Sequence, residues 1–324
     1  MKRLFNTMCA LAVSALTGLL AMDASAQAYP SKPITFYISI GPGSFFESTL
    51  RVVATELSKV LGQPVIIENK VGAGGKIGLQ AIMNSPPDGY TIGQTFNGVV
   101  VTRVLLDKEF ALLPGKDYAP ISMIFSSPLA IIANSSAPFR NFAGMMAYVK
   151  ANPGKLNVSG ASPSSNSHLS WELLKTLTGA DINVVTHRAE AAAVVDLLNG
   201  SITAMVGSTS LKSMVESGKL IGIAVTSPRR WDAFPNLPTL DEAGVKGFDV
   251  QSLNGVVAPA GTPPAIIARL NEAFAKAMSP EIRKRMSDGG LIPVTSTPEE
   301  YGSLMRSELE RWRPVMQKAN LKLE

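Results

Sequence analysis

The run ITFYISIGPGSFFESTLRVVATELSKVL, Ile34 to Leu61, decides the fold class. Ile34 to Ile40 is rich in β-branched and aromatic residues and reads as a strand, which Gly41-Pro42-Gly43-Ser44 then breaks. From Glu47 onward Leu50, Val53, Ala54, Leu57 and Leu61 recur at helical spacing. A strand, a glycine-rich turn and an amphipathic helix in succession form the unit from which helix-flanked parallel sheets are built.

The alternation continues outward. Further strand candidates lie at Val65 to Glu68, Leu129 to Ala133, Asn157 to Ser159, Ile182 to Val185, Ala204 to Val206, Ile221 to Val225 and Gly255 to Ala258. Glu190 to Leu198 carries Ala191, Val194, Val195 and Leu198 on one helical face, as a sheet-covering helix does. The chain is expected to cross between halves near Ile124 to Ser127 and again near Val250 to Leu253, which predicts two hinged lobes with a cleft between them. Residues 27–126 and 252–324 form the first lobe on this reading, and 127–251 the second. Pro298 to Ala319 places Tyr301, Leu304, Met305, Leu309, Trp312, Val315 and Met316 on one stripe, predicting a helix that docks on its own lobe. Glu308 intrudes on that stripe, and Pro314 is expected to kink the helix or end its first part.

Residues 1–26 read as a cleaved secretory signal: Lys2 and Arg3 open it, Leu4 to Ala21 is mostly apolar, and Ala24-Ser25-Ala26 offers a cleavage site. The expected location is the periplasm. Cys9, the one cysteine, lies inside that segment, so the mature chain has no disulfide to rely on. Without Lys2, Arg3 and Asp23, the 30 basic and 25 acidic residues become 28 and 24, a net of +4. That excess is small, and no basic run is interleaved with aromatics, which argues against a nucleic-acid partner.

Gly72-Ala73-Gly74-Gly75-Lys76-Ile77-Gly78 invites a phosphate-loop reading and fails it. Ile77 stands where a Walker loop needs Ser or Thr, and Lys70 where it needs glycine, so a structural turn is the better reading. With no cysteine and only His168 and His187, the mature chain offers no metal-ligand spacing, and no cofactor is implied. No Gly-x-Ser-x-Gly occurs; hydrolysis would need a serine paired in space with His168 or His187, and no catalytic residue is assigned.

What remains is a set of polar loops, each between a strand and a helix start: Gly41 to Ser44, Ser162 to Ser167 and His187 to Ala189. Helix starts expose unpaired N–H groups at the positive end of the dipole, and several facing one cleft hold an anion. The alternative is that Ser44, Ser165 and Ser167 simply cap their helices.

The motifs YPSKPI (29–34), GQPVIIENKVGAGGKIG (62–78), PDGYT (87–91), NPGKLN (152–157), SHL (167–169), IAVTSPRR (223–230), LPTLDEAG (237–244) and APAGTP (258–263) stand in an order that resembles the substrate-binding proteins of tripartite tricarboxylate transporters, the Bug family. The resemblance implies a type II-like periplasmic binding protein fold that captures a small carboxylate and delivers it to the membrane subunits of a transporter, as a monomer. A binding module that signals occupancy to a membrane sensor is the alternative. Carried over by position, the ligand site comprises Gly43, Ser44, Phe45, Phe46, Glu47, Asn97, Ser162, Ser165, Asn166, His168, Arg188, Ala189 and Ser208.

The departures fall inside that site. Phe45 and Phe46 stand where the family has small residues; they face either the cleft or the core. Glu47, in place of an aspartate, reaches into the cleft or caps its own helix. His187-Arg188-Ala189 replaces a YKG-like run, and Arg188 suits a carboxylate. Gly207 takes a position often acidic in members that bind amino acids, so an α-amino group loses its usual partner unless Glu47 or Glu190 serves. The expected ligand is an amine-free carboxylate, aromatic or dicarboxylic.

Overall fold

The computed structural model describes residues 29–160, 165–187 and 190–321. The expected signal segment, Ser162, Arg188 and Ala189 lie outside them. The opening run folds as its pattern dictates: strand β1 (Ile34–Ile38) and helix α1 (Phe45–Leu61), whose apolar stripe is buried. Ser44 caps the helix start, and Gly62 ends the helix at φ +70°, its N–H donating to Ser58 O at 3.0 Å. Only glycine adopts that left-handed turn without strain.

Two sheets follow. The first has the order β11-β4-β10-β3-β1-β2, formed by β1, β2 (Val65–Asn69), β3 (Thr91–Phe96), β4 (Tyr118–Pro128), β10 (Gln251–Pro259) and β11 (Ile292–Pro293). β1 pairs in parallel with β2 and β3, while β10 runs antiparallel to β3 and β4. The second has the order β7-β6-β8-β5-β9, from β5 (Ala130–Asn134), β6 (Asn157–Ser159), β7 (Asn183–Val185), β8 (Ala204–Gly207) and β9 (Leu220–Val225). β6 is parallel to β7 and β8. Helices α2 (Lys76–Met83), α3 (Phe142–Ala151), α4 (Asn166–Thr178), α5 (Glu190–Asn199), α6 (Lys212–Glu216), α7 (Pro264–Ala277), α8 (Pro280–Asp288) and α9 (Pro298–Ala319) complete the chain. The glycine-rich run turns from β2 into α2, with Gly74 and Gly75 at positive φ.

The chain leaves the first sheet between Pro128 and Ala130 and returns between Val225 and Gln251. Thr226 stitches the two crossings together. Its Oγ1 accepts from Leu129 N–H at 3.0 Å and donates to Val250 O at 2.7 Å, fully buried.

Helix α9 spans the expected Pro298 to Ala319, and of the two outcomes expected at Pro314 an end is not the one taken. Its capping box, Thr297 with Glu300, fixes the start, and burial of Tyr301, Met305, Leu309, Trp312, Val315 and Met316 outweighs the one missing N–H. Glu308 tolerates its place on the apolar stripe because both oxygens are occupied, by Arg311 at 2.7 to 2.9 Å and by Trp312 Nε1 at 3.0 Å. One apolar cluster runs from Leu79 and Ile82 through Tyr301 and Trp312 to Val158 and Trp171, so the helix is shared by both sheets.

Candidate functional site

In an open α/β sheet, ligands meet the loops beyond the carboxyl ends of the strands. Those loops follow β1 and β3 in the first sheet and β6, β7 and β8 in the second.

After β1, Ser44 Oγ accepts from Glu47 N–H at 3.1 Å, so this serine caps α1. Glu47, 5% exposed, pairs with Arg51 one turn on and accepts from Gly43 N–H at 3.4 Å. Arg51 also donates to Asn69 Oδ1 at 3.2 Å, and Asn69 to Ile40 O at 2.7 Å. Both contacts of Glu47 are thus local to the start of its own helix. The two phenylalanines part company. Phe46 turns inward, its ring 5.8 Å from that of Phe125 in the first lobe's core. Phe45 stays 40% exposed and lies across Gly289, where any Cβ would collide with the ring.

Asn97, beyond β3, uses both ends of its amide on β10: Nδ2 donates to Gln251 O at 2.9 Å, and Oδ1 accepts from Leu253 N–H at 3.2 Å. Beneath it lies a buried polar layer that sequence reading missed. Gln94 accepts from Ser39 N–H at 3.2 Å and donates to Asn254 Oδ1 at 3.0 Å, and Asn254 donates to Ser252 Oγ at 3.1 Å. The available signal was two amide residues inside strands whose neighbours are apolar or small.

In the second lobe Ser165 caps α4, accepting from His168 N–H at 3.2 Å and donating to Gly160 O at 2.8 Å. Asn166 is the first residue of that helix, its carbonyl accepting from Ser170 Oγ at 2.7 Å. His168 is 8% exposed and burial holds its imidazole below the ordinary histidine range, which favours the neutral ring. Its Nδ1 is buried over Gly160 without a hydrogen-bond partner among the described residues, and Nε2 lies 3.8 Å from Glu172.

His187 sits between two partners, Nδ1 at 3.0 Å from Ser159 Oγ and Nε2 at 2.9 Å from Asp196 Oδ2. The residue types are those of a hydrolytic triad, with Ser159 only 2% exposed at the end of β6. Glu190, at the start of α5, is saturated at one oxygen: Oε1 accepts from Ser208 N–H and Ser208 Oγ, each at 3.0 Å, and from Ser210 Oγ at 2.9 Å. That oxygen lies 3.4 Å from where a Cβ on Gly207 would stand, so an acidic side chain there would crowd a carboxylate already in place.

The two lobes touch at Gly290, next to Gly289. Gly289 carries Phe45, while Gly290 packs against Thr209, and its carbonyl accepts from Trp231 Nε1 at 2.8 Å. The start of α1 and the Ser208–Glu190 cluster thus flank one seam, beside a cavity of about 530 Å³ whose lining includes Thr209, Lys212, Asp232 and Asp288. Among the described residues no three His, Cys, Asp or Glu side chains converge as a metal site, and no helix is long and apolar enough to cross a membrane.

A sequence model described as the tripartite tricarboxylate transporter family receptor matches residues 49–321. The chain belongs to that family. Among solved receptors similar to it, the periplasmic binding protein BugD is 30% identical, with a TM-score of 0.73 over 91% of this chain and 100% of its own. MatC from Rhodopseudomonas palustris, solved with bound malate, is 29% identical, with a TM-score of 0.71 over 89% and 99%. A second R. palustris protein, solved with adipate, is 29% identical, with a TM-score of 0.75 over 91% and 99%. The two-sheet architecture is thus the two-lobed fold of this receptor family.

Proposed function

We propose that this chain is an exported receptor that captures a small amine-free carboxylate, a linear diacid before an aromatic acid, for the membrane subunits of a tripartite transporter. The observation that carries the ligand class is the state of the two acids nearest the site. Glu47 is neutralised by Arg51, Gly207 carries no acid, and Glu190 has its Oε1 committed to three neutral donors, which leaves a single carboxylate oxygen, Oε2, to meet an ammonium group. Three helix starts, at Ser44, Ser165 and Glu190, supply backbone donors suited to carboxylates. Phe46 faces the core, which leaves Phe45 alone as an aromatic surface. The malate and adipate held by the two R. palustris relatives support the diacid class.

A thermal-shift screen with adipate, malate, benzoate and aspartate tests the reading. A ligand at 100 times its Kd stabilises by about 2.7 kcal/mol, enough to raise Tm by several degrees. Stabilisation by adipate or malate is expected; stabilisation by aspartate alone, or by none of the four, contradicts the proposed class.

A further inference from the structure

The ligand face of the second lobe rests on loops that leave different strands, and one side chain connects them. His187 follows β7; its ring reaches Ser159 at the end of β6 on one side and Asp196, in the second turn of α5, on the other. Gly160, next after Ser159, donates its N–H to Val185 O at 3.0 Å and accepts from Ser165 Oγ, the cap of α4. Glu190 lies on the same helix as Asp196 and holds Ser208. The imidazole is therefore a rigid spacer between the start of α4 and the start of α5, with its side chain 8% exposed.

We propose that His187 is the positioning residue of this face: by bridging Ser159 and Asp196 it fixes the start of α5, with the Glu190–Ser208 pair, relative to the start of α4, and so sets ligand affinity. The geometry constrains the chemistry of the bridge. A carboxylate only accepts, so the proton between Asp196 and the ring belongs on Nε2, and the Ser159 hydroxyl, which can donate or accept, serves Nδ1. A residue that orients groups touching a ligand in this way acts like the outer partners that hold metal-binding histidines.

The affinity arm rests on the receptor reading above; the other two arms do not. The chain has two histidines, so imidazole 15N spectra of the full protein contain two sets of resonances, assigned with a His168→Gln variant. The His187 set is expected to show a protonated Nε2, and to become a tautomer mixture in Asp196→Ala. A ring protonated at Nδ1 alone, or one indifferent to Asp196→Ala, overturns the bridge. Amide exchange at residues 194–198, whose N–H groups bond to the carbonyls of the first turn, is expected to accelerate at least about tenfold in His187→Ala, as loss of two hydrogen bonds implies; unchanged protection overturns the positioning role. Affinity for whichever acid of the four-member screen binds is expected to fall about tenfold in His187→Ala and less in His187→Gln, which keeps reach toward Asp196 only. Equal affinity in all three proteins overturns the link to the ligand. If the wild type binds none of the four acids, the receptor reading fails, and the exchange and tautomer results still decide the bridge.

Discussion

His168 is where the site touches the acid–base behaviour of the whole chain. Burial lowers its folded value from the ordinary 6.5, so between the two values the unfolded chain binds a proton that the folded chain refuses. Its contribution to stability is complete above about 6.5 and is lost as pH falls toward the folded value. Urea unfolding at pH 7 and pH 5 is expected to show a smaller drop in His168→Gln than in the wild type; equal drops contradict this origin. At this scale the sequence shows only what lies close along the chain. The Glu47–Arg51 pair is four residues apart on one helix and legible as such, whereas Ser159 and His187 are 28 apart and meet only because β6 and β7 pair.

Among elements, the α1 stripe, the extent of α9 and most strands of the second sheet follow from periodicity alone. β3 and β4 escaped that reading. Thr91–Phe96 has a single aliphatic residue, Ile92, because its other buried positions are filled by Gly93, Gln94 and Thr95, whose environment comes from distant neighbours. β4 carries Ser122, Ser126 and Ser127 in buried positions, and Ser122 is satisfied by Ser296 from 174 residues away. A strand whose polar groups are paired at long range lacks the alternation by which strands are recognised. Gly255 in β10 shows the same dependence: an added Cβ would collide with the Tyr301 ring of α9 and lie 2.7 Å from Ser122 O. Gly255→Ala is expected to cost about 1–3 kcal/mol by overpacking, read as a lower urea midpoint with an unchanged slope; an unchanged midpoint contradicts tight docking of α9 on the sheet.

At the scale of the whole molecule, two features bind the lobes more closely than two crossing strands do. The apolar cluster through α9 continues from one sheet to the other, and Trp231 of the second lobe donates to Gly290 of the first. Calorimetric unfolding is therefore expected to be one cooperative transition, and two resolved transitions would show lobes that are energetically separate. The same seam brings the start of α1 beside the Ser208–Glu190 cluster, where Glu47 is ion-paired and Glu190 Oε1 is taken by three neutral donors. The proposal that this site takes a carboxylate and not an amine is the centre of the account. Native mass spectrometry of the protein purified without refolding tests it most directly: one retained small acid of nitrogen-free composition is the predicted result, and a retained amino acid would contradict it.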